Sequence, residues 1–271
     1  MFPDLPLAAW RDTRDTLQSY CNILGAIRCQ QMPRLRHYAH CSLHVTGRGL
    51  TTTPFPLGSA IVELRIDLVS HELELLTTAG ATARRPLEGQ SAAALYGQIV
   101  AMVEGLGHRL EMEELETAVS EGSWDTAAVH RYWAALSRLH LVFQRFKGEQ
   151  RKESSPVQLW PHHFDLAMLL FSGRRVEGED PNDEDSADER MNFGFSTGDG
   201  GLSEPYFYIT AWKSPDGLTK LPLPDSAHWH TEGWTGAILP YDTLRRHRSG
   251  ENILLHFFRE TRDGISSLRR G

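Results

Sequence analysis

The stretch Ser123–Phe146, SWDTAAVHRYWAALSRLHLVFQRF, predicts a long amphipathic helix near the middle of the chain. A Ser123 or Asp125 side chain at its start is suited to cap the helix N-terminus. The large apolar residues recur at steps of three and four, as on the buried face of a helix: Val129, Trp133, Leu136, Leu139, Phe143 and Phe146. A helix that starts here divides the chain into residues 1–122 and 123–271.

The residues on either side of this point fit the same order of elements. Before it, the pattern predicts a helix over about 7–28, strands near 40–46, 60–69, 72–78 and 82–87, and a helix over 91–107. After it, strands are predicted near 157–171, 192–196, 206–212 and 229–239, with a last helix over about 251–268. The sequence thus predicts an α+β fold of two similar α-β4-α halves, with antiparallel sheets and packed helices.

A short sequence match supports a duplication of one half. HYAHCSLHVTGR (His37–Arg48) resembles HFDLAMLLFSGR (His163–Arg174), which lies 126 residues later and ends on the same Gly-Arg pair. Such a match also arises by chance. A true duplication requires that the two segments superpose and that the two sheets share a strand order.

The net charge of −7 lies in one segment. Residues 177–190, EGEDPNDEDSADER, contain eight acidic residues and one arginine, and this composition predicts a mobile acidic loop. The rest of the chain is balanced, so we expect no nucleic-acid partner. The arginines of LRRHRSG (residues 244–250) and SLRRG (residues 267–271) are interpreted as a solvated helix face.

The cysteines and the apolar runs indicate the cellular setting. Cys21, Cys29 and Cys41 match neither a CxxC metal knuckle nor a disulfide framework, which favours a reducing cytoplasm. No run of 18 apolar residues occurs, and the first residues lack the features of a signal peptide. A cytoplasmic protein with no membrane partner is expected, and the sequence leaves its oligomeric state open.

Several blocks of the sequence resemble a known family. They are LQSYCNILGAIR, LHVTGRGLTTTPFP, SSPVQLWPHHFDLAMLLFSGR, NFGFSTGD, EPYFYITAW and HTEGWTGAILPY. Together they are similar to an uncharacterised bacterial family known only as a domain of unknown function, the one numbered 5996. The resemblance covers nearly the whole chain. It implies a bacterial origin and a single family-length unit, and it implies no activity.

Two histidine-containing segments predict a metal site. In HWHTEG (residues 228–233), strand alternation places His228 and His230 on one face, where both imidazoles can reach one metal ion. In LWPHHFDLAM (residues 159–168), the same rule pairs His163 with Asp165, and one of these is the expected third ligand. We expect a divalent ion (zinc, iron or manganese), with Glu232 or Glu204 as proton carrier.

Two alternatives remain open for these histidines. They can line a polar pocket without a metal, or they can be structural groups hydrogen-bonded to carbonyls or carboxylates. In the pocket alternative, the aromatic residues Trp160 and Trp212 line a ligand site, although core packing is the more common role of such residues. His37 and Arg48 are further candidate ligand-binding residues, and a surface salt bridge is the simpler role for Arg48.

The motif Gly-x-Ser-x-Gly at residues 194–198 resembles the nucleophile elbow of serine hydrolases. That elbow requires a strand, a sharp turn and a helix, whereas Asp199-Gly200-Gly201 leads through Pro205 into another strand. A hairpin is the better interpretation. The leading functional prediction is therefore a metal-assisted hydrolase or acid-base enzyme acting on a small molecule. The alternative is a non-catalytic small-molecule binding module.

Overall fold

A computed structural model describes residues 2–113 and 119–270 of the chain. The helices are α1 (Arg11–Gln31), α2 (Ala92–Gly105), α3 (Thr126–Gly148), α4 (Glu184–Ala187), α5 (Tyr241–Arg245) and α6 (Gly250–Leu268). The strands are β1 (His44–Val45), β2 (Gly49–Thr51), β3 (Phe55–Leu57), β4 (Ala60–Asp67), β5 (Glu72–Thr77), β6 (Thr82–Pro86), β7 (Gln158–Trp160), β8 (Asp165–Arg175), β9 (Asp188–Ser196), β10 (Tyr206–Trp212), β11 (His228–His230) and β12 (Gly236–Pro240). The predicted α+β class with antiparallel sheets is confirmed.

The chain divides into two compact units that differ from the predicted halves. The N-terminal unit comprises Ala8–Ser137 and Gln158–Phe164, and the C-terminal unit comprises Met1–Leu7, Arg138–Val157 and Asp165–Gly271. The division therefore falls within α3 rather than at residues 122 and 123. The N-cap of α3 agrees with the prediction, since the Asp125 carboxylate accepts hydrogen bonds from the amides of Ala127 and Ala128.

The N-terminal unit is built on a sheet with the order β1-β2-β4-β5-β6, in which β3 also pairs with β4. Alternate residues of β4 and β5 are buried, as expected for a sheet with one covered face: Val62, Leu64, Ile66, Leu73 and Leu75. Helices α1 and α2 contact this sheet and bury their own apolar stripes. Ser91 caps α2 by accepting a hydrogen bond from the Ala94 amide.

Within the C-terminal unit, the strand order is β11-β12-β10-β9-β8, and every neighbouring pair is antiparallel. Phe258 of α6 is the centre of the core. Its ring lies 5.0 Å from that of Phe143, 5.1 Å from that of Phe146 and 5.4 Å from that of Phe193 on β9. One face of the sheet therefore packs against an aromatic cluster from α3 and α6.

The predicted duplication is not supported. Residues 40 and 41, predicted as the start of a strand, lie in the 3-10 helix Arg36–Cys41. The strand orders also differ. In the C-terminal sheet β10 pairs with β12, and β11 lies at the edge beyond β12. In the N-terminal sheet β4, β5 and β6 pair in the order in which they follow along the chain. The similarity between residues 37–48 and 163–174 therefore joins segments of different structure.

Two further predictions are corrected. Cys29 and Cys41 form a disulfide, so the argument from cysteine spacing for a reducing compartment no longer holds. The predicted acidic loop is too long, because α4 begins at Glu184, β9 begins at Asp188, and Ala187 is buried between them. Among the described helices, none combines the length and the apolar character that a membrane crossing needs.

Candidate functional site

The C-terminal sheet carries its polar side chains on the face opposite the apolar core. The register places Ala167, Gly194 and Tyr208 side by side, and residues two positions away share their face. We call this surface the polar face, defined by Asp165, Asn192, Ser196, Tyr206 and Tyr208. Buried polar groups require hydrogen-bond partners, so the contacts on this face indicate what it can bind.

Asp165 is only 5% exposed and accepts a hydrogen bond from the Tyr208 hydroxyl. Burial, and then the charge of Asp165, raise the pKa of Tyr208 well above its ordinary value, so Tyr208 remains a phenol that donates. The Tyr208 oxygen accepts from the amide nitrogen of Asn192 at 3.4 Å. The Asn192 Oδ1 atom is buried and has no hydrogen-bond partner among the described residues.

An aromatic wall stands beside these groups. Trp234 is stacked on Tyr206, with ring centroids 6.5 Å apart, and contacts Tyr208 edge-on at 6.2 Å. The Tyr206 hydroxyl donates to the Asp199 carboxylate at 3.0 Å. Glycines allow the rings to lie flat on the sheet, because a Cβ on Gly194 would lie 2.1 Å from Tyr208 and one on Gly236 2.5 Å from Trp234. The polar face thus combines hydrogen-bonding groups with flat apolar walls.

His228 and His230 also lie on the polar face, as predicted from alternation, because they pair with Ile238 and Gly236 of β12. His228 is exposed at the edge of the sheet. The His230 ring lies 4.7 Å from that of Trp234, and its Nε2 atom is 2.8 Å from the Glu232 carbonyl oxygen. Within the described residues, these imidazoles and Asp165 do not meet within the 4.8 Å that a shared metal requires.

The predicted pairing of His163 with Asp165 on one strand is wrong. Residues 161–164 form a turn in which Phe164 adopts a φ of +55°, and β8 begins only at Asp165. The proline at 161 and this left-handed residue interrupt the predicted continuous strand, so alternation does not extend across it. His162 and His163 are exposed, with ring centroids 4.2 Å apart, and they belong to the N-terminal unit.

Three of the predicted ligand-binding residues contact other residues of the chain in ways common in folded proteins. Arg48 forms the salt bridge that the sequence left as an alternative, with the buried Asp67. Trp212 is 40% exposed, and its indole donates to the Ser186 carbonyl at 2.7 Å. Trp160 lies on β7 with its ring 6.1 Å from that of His162.

His37 is buried in the 3-10 helix with a φ of +50°. Glu204 and Glu232, the predicted proton carriers, are exposed. The Gly-x-Ser-x-Gly motif lies in the β9–β10 hairpin: Ser196 ends β9, and its hydroxyl accepts from the Gly198 amide at 3.1 Å. Strand β10 follows this turn, so the structure confirms the hairpin rather than a nucleophile elbow.

The C-terminal unit contains a pocket of about 470 Å³ that the sequence did not predict. We call it the basic pocket. Its walls come from residues 149–152, the C-terminal part of β8 and the C-terminal part of α6 with the residues that follow it. Leu170, Phe171 and Met191 supply apolar surface. Two carboxylates, of Glu149 and Asp263, also line it. Six cationic side chains line the pocket: Arg151, Lys152, Arg174, Arg262, Arg269 and Arg270.

Arg269 is the most unusual group in the basic pocket, because its side chain is only 4% exposed. Its Nη2 atom donates to the carbonyl oxygens of Arg190, Trp212 and Lys213 at 2.9 to 3.0 Å. Its Nε and Nη1 atoms are buried without a hydrogen-bond partner among the described residues. The carboxylate of Glu189 lies 3.7 Å from the Arg269 Nε atom. Burial lowers the pKa of Arg269, but a guanidinium begins so high that it stays charged.

The other charges leave the basic pocket positive. Arg174 pairs with Glu189 at 2.9 Å and donates to the Arg269 carbonyl at 2.9 Å, and Arg262 pairs with Asp263 at 2.8 Å. Glu149 pairs with Arg259, which lies outside the lining. Arg151, Lys152 and Arg270 have no carboxylate within 4.0 Å in the part of the chain that the structure describes. An anion in the pocket would therefore meet unneutralised cations.

The interpretation of SLRRG as a solvated helix face is wrong for Arg269. Cations commonly follow a helix C-terminus, where they interact with the helix dipole, and nothing in the local sequence distinguishes Arg269 from Arg270. Arg269 is held in its buried position by hydrogen bonds to carbonyl groups of β9 and of the end of β10, and both strands are distant from Arg269 in sequence. Single-sequence patterns do not report such contacts.

The fold and sites define an α+β protein with two compact units, a polar sheet face and a basic pocket. Residues 2–268 match the model of the Family of unknown function (DUF5996), and the chain belongs to that family. No curated protein and no solved structure matches the chain.

Proposed function

We propose that this chain is a binding protein for a small anionic molecule, and that the ligand occupies the basic pocket. The observation that carries the proposal is Arg269, a buried guanidinium whose Nε and Nη1 atoms have no hydrogen-bond partner among the described residues. Leaving a buried charged donor unsatisfied costs more than the loss of an ordinary hydrogen bond. A ligand oxygen at Nη1 removes that cost and adds a charge-assisted bond.

The ligand class follows from the lining. Guanidinium groups bind carboxylates and phosphates through paired N–H donors, and the serines Ser172 and Ser266 offer hydroxyls at the same pocket. The apolar side chains Leu170, Phe171 and Met191 provide surface for a carbon skeleton. A volume of about 470 Å³ is in the range of small-molecule sites. A phosphorylated or polycarboxylated small molecule fits these features.

A matched pair of charge reversals tests the proposal. Arg151→Glu changes a lining residue that has no ion pair with any described residue. Arg248→Glu makes the same change just before α6, roughly 28 Å from the Arg269 end of this 19-residue helix. Citrate and pyrophosphate binding is measured by calorimetry. We expect about 10- to 30-fold weaker binding for Arg151→Glu, because reversal exchanges an attraction of about 1 kcal/mol for a similar repulsion. Equal loss in both variants, or in neither, contradicts the proposal.

The metal-assisted enzyme is a second candidate: His228, His230 and Asp165 share the polar face, but their side chains would have to move closer together to bind one ion. It predicts stoichiometric zinc, iron or manganese in protein purified without a nickel column. The double variant His228→Ala/His230→Ala would then lose the metal while keeping its fold. Metal-free parent protein, or unchanged metal content in the variant, would exclude this candidate.

A further inference from the structure

Three side chains of the types that bind metals lie together in the N-terminal unit. The ligand atoms of Cys29, His40 and Cys41 are within 4.8 Å of one another. Cys29 lies near the end of α1, and Cys41 ends the 3-10 helix Arg36–Cys41. The two cysteines form a disulfide, with Cα atoms 4.2 Å apart. Among the described residues, this is the group of histidine, cysteine and acidic side chains that meets the distance requirement for a metal.

A buried arginine holds the segment that carries two of these groups. Arg28 is 3% exposed, and its Nη1 donates to the carbonyl oxygens of Ala39, at 2.5 Å, and Ser42, at 2.8 Å. These carbonyls immediately precede and follow the pair His40–Cys41. Arg28 therefore fixes the backbone on both sides of two of the three candidate ligands.

The backbone before this pair is strained. His37 and Tyr38, both non-glycine residues, adopt φ angles of +50° and +54°. Such conformations are unfavourable for non-glycine residues and persist where surrounding contacts enforce them. The contacts here are those of Arg28 and the hydrogen bond from the Leu35 amide to His40 Nδ1, at 3.2 Å. The segment is therefore fixed around the cluster.

We propose that the reduced chain binds one zinc ion through Cys29 Sγ, Cys41 Sγ and an imidazole nitrogen of His40, and that the disulfide is the oxidised, metal-free form. A reductant supplies two electrons and two protons, which breaks the S–S bond and leaves two thiols. Zinc then displaces the two thiol protons. Three protein ligands leave the fourth tetrahedral position to water or to an added ligand.

Zinc binding has a consequence for His40. Its Nδ1 lone pair now accepts the Leu35 N–H. A metal bound at Nδ1 takes that lone pair, and a metal bound at Nε2 leaves the imidazole proton on Nδ1. Either arrangement breaks the hydrogen bond to Leu35. Hydrogen exchange at the Leu35 amide should therefore become faster when zinc is bound.

The test uses the full-length chain, reduced anaerobically with a phosphine and then freed of reductant. Zinc is titrated against a chromophoric chelator, and cobalt is added separately to detect thiolate ligation by its charge-transfer absorption. We expect one ion per chain and protection of two thiols from alkylation. Cys29→Ser and Cys41→Ser should abolish zinc binding. His40→Ala should weaken it by at least about 100-fold, since loss of a ligand's outer partner alone costs about 10- to 100-fold.

Cys21→Ala is the matched control, because Cys21 is a buried cysteine outside the disulfide; it should bind zinc as the parent does. The cobalt spectrum of the parent chain gives an answer even if a variant fails to fold. Reduced parent protein that binds neither metal while both thiols react overturns the proposal. So does zinc that is retained in the two serine variants and lost only in the His228→Ala/His230→Ala protein.

Discussion

Replacing Arg269 by methionine should strongly weaken anion binding in the basic pocket. Methionine has a similar length but no donor, so the ligand loses the partner assigned to Nη1. Hydrogen bonds to charged groups contribute about 1.5–3 kcal/mol, which predicts binding weaker by about 10- to 150-fold. The carbonyls of Arg190, Trp212 and Lys213 lose their shared donor, so the ligand-free chain should also lose about 1–3 kcal/mol of stability.

The two effects are separated by measuring thermal unfolding with and without pyrophosphate. Arg245→Met is the control, because Arg245 is also a paired arginine of the C-terminal unit, 2.7 Å from Asp242, and it does not line the pocket. The control should be less stable than the parent yet gain the same stabilisation from pyrophosphate. If Arg269→Met gains that stabilisation as well, Arg269 serves only to bind the three carbonyls, and the assigned ligand contact is wrong.

Gly194→Ala should be the most destabilising small substitution on the polar face. The added Cβ would lie 2.1 Å from Cζ of Tyr208, whose ring is held by Asp165 and Trp234. The ring must move off the sheet, and overpacking of this kind costs about 1–3 kcal/mol and sometimes more. The Tyr208 hydrogen bond to Asp165 should be lost together with the packing.

Chemical denaturation of Gly194→Ala and Gly200→Ala, side by side, measures this effect. A Cβ on Gly200 meets no atom within 4 Å, so Gly200→Ala should unfold as the parent does. Tyr208→Phe isolates the hydrogen-bond part of the change. Equal stability of the two alanine variants would show that Tyr208 does not lie over Gly194.

Much of the fold could be predicted because its elements have strong local patterns. The apolar stripe of α3, the strands predicted near 60–69 and 72–78 and the helix predicted over 91–107 each correspond to an element that the structure contains. The failures lie where a backbone conformation depends on distant contacts. The left-handed residues His37, Tyr38 and Phe164 interrupt segments whose composition favours strands.

The candidate sites were less predictable from sequence. Alternation placed His228 and His230 on one face correctly, because that rule is local. The burial of Arg269 and the approach of Cys29 to Cys41 depend on how separate elements pack. The 12-residue spacing of the two cysteines matches no motif, and the arginines after α6 look like ordinary solvated charges. Only the three-dimensional contacts distinguish them.

The central claim is that an anion contacts the buried guanidinium of Arg269, and nitrogen-15 NMR of the arginine side chains tests it most directly. The Arg269 signal is assigned by its absence in Arg269→Met, and that of Arg245 likewise. Titration of the full-length chain with phosphate, pyrophosphate or citrate should shift the Arg269 signal saturably while leaving the Arg245 signal in place. The titration reaches about 10 mM, a concentration that detects even a binding free energy of about 4 kcal/mol. If none of the three anions shifts the Arg269 signal, the proposal is contradicted. Equal shifts of both signals would contradict it as well.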